Sequence, residues 1–137
     1  MKTRLLPYAI LALGAVFAMR SAPASAHHSF AAEFDASKPI TLKGVVTRID
    51  WMNPHVWFYI NVKDDEGGTV RWGCEMGAPH QLQGRGWLRE TMKIGDVVTV
   101  NGALARDGSK RANARTVTTA DGKTLGAASS GDRSGSQ

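Results

Sequence analysis

Four histidines carry most of the chemistry in this sequence of 137 residues: His27, His28, His55 and His80. If the chain is cut after Ala26, His27 becomes the first residue. Its α-amine and its ring Nδ1 then grip one ion as a bidentate chelate. Copper(II) favours such nitrogen-rich tetragonal sites and heads the affinity order of the divalent first-row metals. A third nitrogen from elsewhere completes a T-shaped histidine brace, with His55 the first candidate and His80 the second. His28 is counted with them as a candidate metal residue. A cut after Ala24 instead exposes Ser25-Ala26-His27, whose amine, two amides and imidazole also chelate copper(II), so affinity alone does not identify a built site. The plainer alternatives are an incidental exposed pair at the terminus, a turn residue after Pro54 and a surface residue at a helix start. No spacing matches a zinc finger, Cys-x-x-Cys or His-Glu-x-x-His.

Sulfur and aromatic groups are the next candidates. Cys74 is the only cysteine, so no disulfide within the chain staples the fold. Cys74 and Met76, two apart, share one face of a strand, with Glu75 on the other. They are soft ligands for copper(I), but core packing is the commoner use of both residue types. Trp57 and Tyr59 share one face of a second strand, opposite Phe58. On a small barrel such a pair stacks bases or sugars, although core packing is again the default. Ser29 beside His28 belongs to no triad pattern, and Asp64-Asp65-Glu66 reads as a solvated turn. The chain therefore reads as a non-enzymatic protein.

These side chains need a scaffold and a compartment. Lys2 and Arg4 precede an apolar run from Leu5 to Met19, and Ala24-Ser25-Ala26 follows. That order is a secretory signal peptide over residues 1–26, cut before His27. The run is about 15 residues, short of the roughly 20 that cross a bilayer, and no later stretch spans a membrane. Lys2, Arg4 and Arg20 leave with the signal and no acidic residue does, so the formal charge falls from +5 by three. The remaining balance lacks the basic stripe of a nucleic-acid partner.

The mature chain, roughly 110 residues, suffices for one domain with a modest core. Residues 27–39 show no period and read as an N-terminal arm. Residues 40–125 read as β. Ile40 to Trp51 forms the first strand, bent or bulged at Gly44. Asn53-Pro54 is a turn, and Val56 to Val62 is the strongest strand. A hairpin over Asp64–Gly68 leads to a third strand, Thr69 to Met76. A short helix near Pro79–Gln83 and a turn near Leu88–Met92 connect it to Val97–Leu104 and then Ala114–Thr119. Residues 126–137 are rich in Gly, Ser and Ala and read as a disordered tail. The fold class is all-β: five strands with a short helical connector between strands 3 and 4, the pattern of an OB-like barrel. A small β-sandwich is the competing architecture.

Several segments together resemble a known group: His27-His28-Ser29-Phe30, Trp51-Met52-Asn53-Pro54-His55, Gly86-Trp87, Gly95 to Gly102 and Arg111-Ala112-Asn113-Ala114-Arg115. This combination is similar to a family of small exported bacterial proteins of unknown function, catalogued as a numbered domain. The likeness runs from about His27 to Leu125. It implies a small β domain outside the cytoplasm and brings no activity with it. Cys74 and Met76 are not part of that pattern.

The expected function is an exported binding module, periplasmic or secreted, with an unknown small ligand or envelope protein as partner. The alternative is a copper-binding protein using His27 with His55 or His80. An oxidative copper enzyme on the same brace needs a substrate surface that the sequence does not display. Intact-mass measurement on protein recovered from the cell envelope should give a chain that begins at His27. A mass that retains Met1–Ala26 would overturn both the export reading and the free-amine chelate.

Overall fold

Alternation of apolar and polar residues decides most of this chain, because a strand turns successive side chains to opposite faces. A computed structural model describes residues 30–133. Residues 1–29, which include the expected signal peptide, His27 and His28, and residues 134–137 lie outside the described residues. A helical turn, α1 (Phe30–Glu33), leads into strands β1 (Phe34–Asp50), β2 (Trp57–Lys63) and β3 (Thr69–Glu75). Helix α2 (Pro79–Gln83) precedes β4 (Val97–Ala105), β5 (Arg111–Thr118) and β6 (Thr124–Gly126), and a 3-10 turn covers Ser130–Arg133. The described residues are thus mostly antiparallel β-sheet, as expected. None of their helices is long and apolar enough to cross a membrane.

The 17-residue β1 organises the sheet. Its first part pairs antiparallel with β4, from Phe34↔Ala105 to Val45↔Val97. Its last part pairs antiparallel with β2, from Gly44↔Val62 to Asp50↔Trp57. Gly44 belongs to both ladders, and a Cβ there would stand 2.5 Å from the Asn61 carbonyl oxygen. Its role is therefore close approach of two strands. The bulge expected at Gly44 falls instead between Val46 and Arg48, where Thr47 is the extra residue. β2 pairs with β3, and β4 with β5, both antiparallel. β3 pairs parallel with β5 through Gly73↔Arg111, Cys74↔Ala112 and Glu75↔Asn113. The pairings thus run in a closed circuit, β1-β2-β3-β5-β4-β1, with β6 added to β5.

Inside the circuit lie Phe58 and Ile60 of β2, Trp72 and Cys74 of β3, Val98 and Val100 of β4, and Val117 of β5. Leu82 of α2 and Trp87 pack into the same core, and the Trp87 indole N–H donates to the Gly126 carbonyl at 2.9 Å. Pro79 opens α2, where its missing N–H costs no helical hydrogen bond. The expected connector at Pro79–Gln83 is the observed helix.

Three expectations change. β1 begins at Phe34, inside the stretch read as an arm. Its alternation is masked because three residues loop out between Asp35 and Pro39 while β4 advances by one. A sixth strand, β6, ends at Gly126, and Ala127, Ala128 and Ser129 are buried. Residues 126–133, read as part of the tail, thus lie at the end of β6, in a buried run and in the 3-10 turn, because small residues pack closely without leaving a hydrophobic period. Trp57, for which core packing was the default, is half-buried on the face opposite the main core. There it packs on a second, smaller cluster of Phe30, Phe34, Ala103 and Ala105.

Val100→Asp should unfold the domain. It forfeits about 1.5–3 kcal/mol of apolar burial and strands a carboxylate in an apolar interior at several kcal/mol more, against a total stability of about 5–15 kcal/mol. Val97→Asp, on the same strand but 47% exposed, should shift a circular-dichroism melt by little. Equal tolerance of both variants would contradict this core.

Candidate functional site

The outer face of β2, β3 and β5 carries two rows of residues set by register. Trp57, Glu75 and Asn113 stand side by side in one, and Tyr59, Gly73 and Arg111 in the next. The period of two that buries Phe58 and Ile60 turns Trp57 and Tyr59 outward. His55, two residues before Trp57, continues the same face. The ladder extends past the strand ends to hold it: Val56 N–H donates to the Gly77 carbonyl at 3.0 Å, and Met76 N–H donates to the Val56 carbonyl at 2.8 Å. The Asn53–Pro54 peptide bond is cis.

Over these rows lies a cleft of about 1400 Å³. Its walls are the loop after β1 (Asn53, Pro54, His55), the start of α2 (Ala78, His80, Gln81), Lys110 and Arg111 at the start of β5, Ala128 and Ser130, and α1 through Phe30 and Glu33. Trp57 and Tyr59 lean over Gly73, where a Cβ would meet the two rings at 3.6 and 3.3 Å. The Arg71 guanidinium stacks over the Tyr59 ring at 4.8 Å. Arg111 is tied to Asp107 at 2.8 Å and to Glu33 at 3.7 Å. Hydrogen bonds from Ser109, then the Arg111 charge, hold the Asp107 carboxyl down at about 2.

One polar chain runs through the buried side of the cleft. His55 Nδ1 lies 2.5 Å from Glu75 Oε1. Asn113 Nδ2 donates to Glu75 Oε2 at 3.1 Å. The Ser129 hydroxyl donates to Asn113 Oδ1. Glu75, Asn113 and Ser129 are all buried, whereas the His55 side chain is 33% exposed. A carboxylate only accepts hydrogen bonds, so Nδ1 of His55 is the donor of this pair.

The two described candidate histidines, His55 and His80, therefore line one cleft, and the described chain begins at its edge with Phe30. His27 and His28 lie outside the described residues. Among the described residues no three His, Cys, Asp or Glu side chains are gathered to hold a metal ion. Cys74 and Met76 face the core and are buried, so the soft-sulfur alternative gives way to packing. The carboxylates at the hairpin tip serve the turn: Asp64 accepts from the N–H groups of Glu66 and Gly68. Sequence reasoning missed Glu75, Asn113 and Ser129 as site residues. Glu75 carried one signal, a charged residue alternating between Cys74 and Met76 on the face away from the core.

Burial pushes the Cys74 thiol up to about 12 from an ordinary 9.0. It should stay unlabelled by maleimide in the folded protein and react on unfolding. Between those two values the unfolded chain sheds the thiol proton while the folded chain keeps it, so this group lowers stability as pH rises through that window. Rapid labelling of native protein near neutral pH would show that Cys74 is not enclosed.

Residues 15–114 match a family of unknown function (DUF6152). No curated protein and no solved structure matches the chain.

Proposed function

The chain belongs to the DUF6152 family of unknown function, and we propose that it is an exported, non-enzymatic binding module whose ligand sits in the cleft over β2, β3 and β5. The observation that carries the proposal is the cleft itself. It is roomy, floored by Trp57 and Tyr59, and walled by polar groups held in place from behind. Concave, largely apolar sites with a few convergent polar groups are where small ligands bind. The closed circuit of five strands, with α2 between β3 and β4, is consistent with an OB-like barrel to which β6 is added. In that fold the face of strands 2 and 3 and the loops after strands 1 and 4 take ligands. Here the same face and the same two loops bound the cleft, an argument by fold analogy. The mature charge balance argues against an oligonucleotide. A small ligand, or a segment of an envelope protein, in the periplasm or medium fits better.

A second reading is favoured by one observation, that His55 lines the cleft at whose edge α1 begins. On this reading copper(II) is held by the amine and ring of His27 and by Nε2 of His55. His27 stands three residues before Phe30, within about 10 Å of chain reach. Since the described residues bring no three ligands together, such a site needs both nitrogens of His27.

Native mass spectrometry on protein recovered from the envelope tests both readings. A small organic adduct that Trp57→Ala abolishes supports the metal-free module. One copper ion per chain, lost when a single residue is added before His27 and weakened by His55→Ala, supports the second. Recovery of the bare chain, with no uptake of copper(II) added at equimolar ratio, would overturn both.

A further inference from the structure

The charges of the cleft are unevenly answered. Every carboxylate in its lining has partners within the chain. Asp50 takes the Arg48 guanidinium at 2.8 Å, Glu75 takes His55 and Asn113, and Glu33 lies 3.7 Å from Arg111. Arg111 is committed as well, donating to Ser109 Oγ at 2.9 Å and to Asp107 at 2.8 Å. The other two basic side chains of the lining, Arg71 and Lys110, are exposed and make no ion pair or side-chain hydrogen bond among the described residues. Each rests on a ring instead. The Arg71 guanidinium lies over Tyr59 at 4.8 Å, and the Lys110 ammonium over Trp72 at 5.2 Å. A ring face attracts the charge but offers no carboxylate oxygen to the N–H donors, which stay available. It also holds a long side chain in place, so a ligand meets a cation whose freedom is already reduced.

Register brings these two cations to one corner. Gly73 of β3 pairs with Arg111 of β5, and its N–H donates to the Lys110 carbonyl at 3.0 Å. Arg71 stands two residues before Gly73, on the same face. From that corner the floor runs past Tyr59 to Trp57. A Cβ at position 73 would crowd the Tyr59 ring at 3.3 Å, so glycine lets the rings lie close to the sheet and keeps the floor clear. We propose that Arg71 and Lys110 form the anion-binding end of the cleft, and that its ligand is a small organic oxyanion: a carboxylate or phosphate head joined to a flat apolar body that lies along Trp57. Oxyanions of both kinds accept charge-assisted hydrogen bonds from guanidinium and ammonium groups. A cationic ligand finds no carboxylate of the lining left to receive it, and a neutral one needs neither Arg71 nor Lys110. The inference rests on the binding-module reading above and adds the charge and shape of the ligand.

The test titrates nitrogen-15-labelled protein recovered from the envelope with three probes that share one ring system: naphthoate, naphthyl phosphate and the neutral naphthylmethanol. Amide shifts read the affinity. At least one anion should bind roughly tenfold more tightly than the alcohol, and the tighter anion names the head group. Arg71→Gln and Lys110→Gln should each weaken that anion about tenfold and leave the alcohol unchanged. Both residues are exposed, so both variants should fold, and the same spectra check it. Lys123→Gln removes an exposed cation outside the lining and should change nothing. An equal loss there reduces the preference to net charge and overturns the site. Equal affinity for anions and alcohol, all lost in Trp57→Ala, overturns the oxyanion inference and keeps the cleft as a binding site. Anion binding that neither Trp57→Ala nor Arg71→Gln alters lies outside the cleft and overturns the inference and the cleft reading together. No binding of either anion at millimolar concentration overturns the inference and leaves the module to the mass-spectrometric test above.

Discussion

A carboxylate buried on the wall of a sheet is the demand that the rest of this molecule answers. Glu75 stands between Trp57 and Asn113 in the register of three strands, in a place where an unpaired charge costs several kcal/mol. Its two oxygens are met by His55 and Asn113, and Asn113 is met by Ser129. Those partners come from the loop after β1, from β5 and from the segment after β6. One acidic group thus dictates where a loop sits, which way an amide points and where the C-terminal residues lie. The geometry of the cleft is the outcome of satisfying it.

That arrangement exists only because β3 and β5 run parallel and in one register. The parallel pairing needs a crossover, which α2 and β4 supply. It also needs backbones that approach closely. At Gly102 a Cβ would stand 2.2 Å from the Asn113 carbonyl oxygen, on the strand that carries the amide. A slip of one residue between β3 and β5 would turn Asn113 to the core and Ala112 or Ala114 toward Glu75. The apolar interior resists that slip, because Ala112, Ala114 and Val117 are buried against Trp72, Phe58 and Ile60. Core packing therefore guards the polar chain on the outside of the sheet.

Much of the scaffold was legible in the sequence, for reasons particular residues make plain. Val56 to Val62 alternates so strongly that the strand and its two faces follow from period two alone. Pro79, followed by Gly84 and Gly86, marks α2. The first part of β1 was hidden because residues 36–38 loop out and break the period. β6 and the buried residues after it were hidden because Gly126, Ala127 and Ala128 pack without a hydrophobic pattern. The site was legible only as a set of candidates. His55 and His80 were named, and the structure brings both to one cleft, but nothing local distinguishes them. What distinguishes them is Glu75, 20 residues from His55 and 38 from Asn113. Separations of that size are set by register and closure, which single-strand patterns do not encode.

The contact between Phe30 and Gly131 bears on the order of events in the cell. A Cβ at Gly131 would lie 2.9 Å from the Phe30 ring, so the two ends of the described chain meet at the cleft. They close a loop of about 100 residues, whose entropy must be overcome before the contact gives anything back. A ribosome and any translocation channel deliver the N-terminal side first. Until the last segment emerges, the cleft has no far wall and the Asn113 amide has no hydroxyl to orient it. A partly delivered chain therefore lacks the finished pocket.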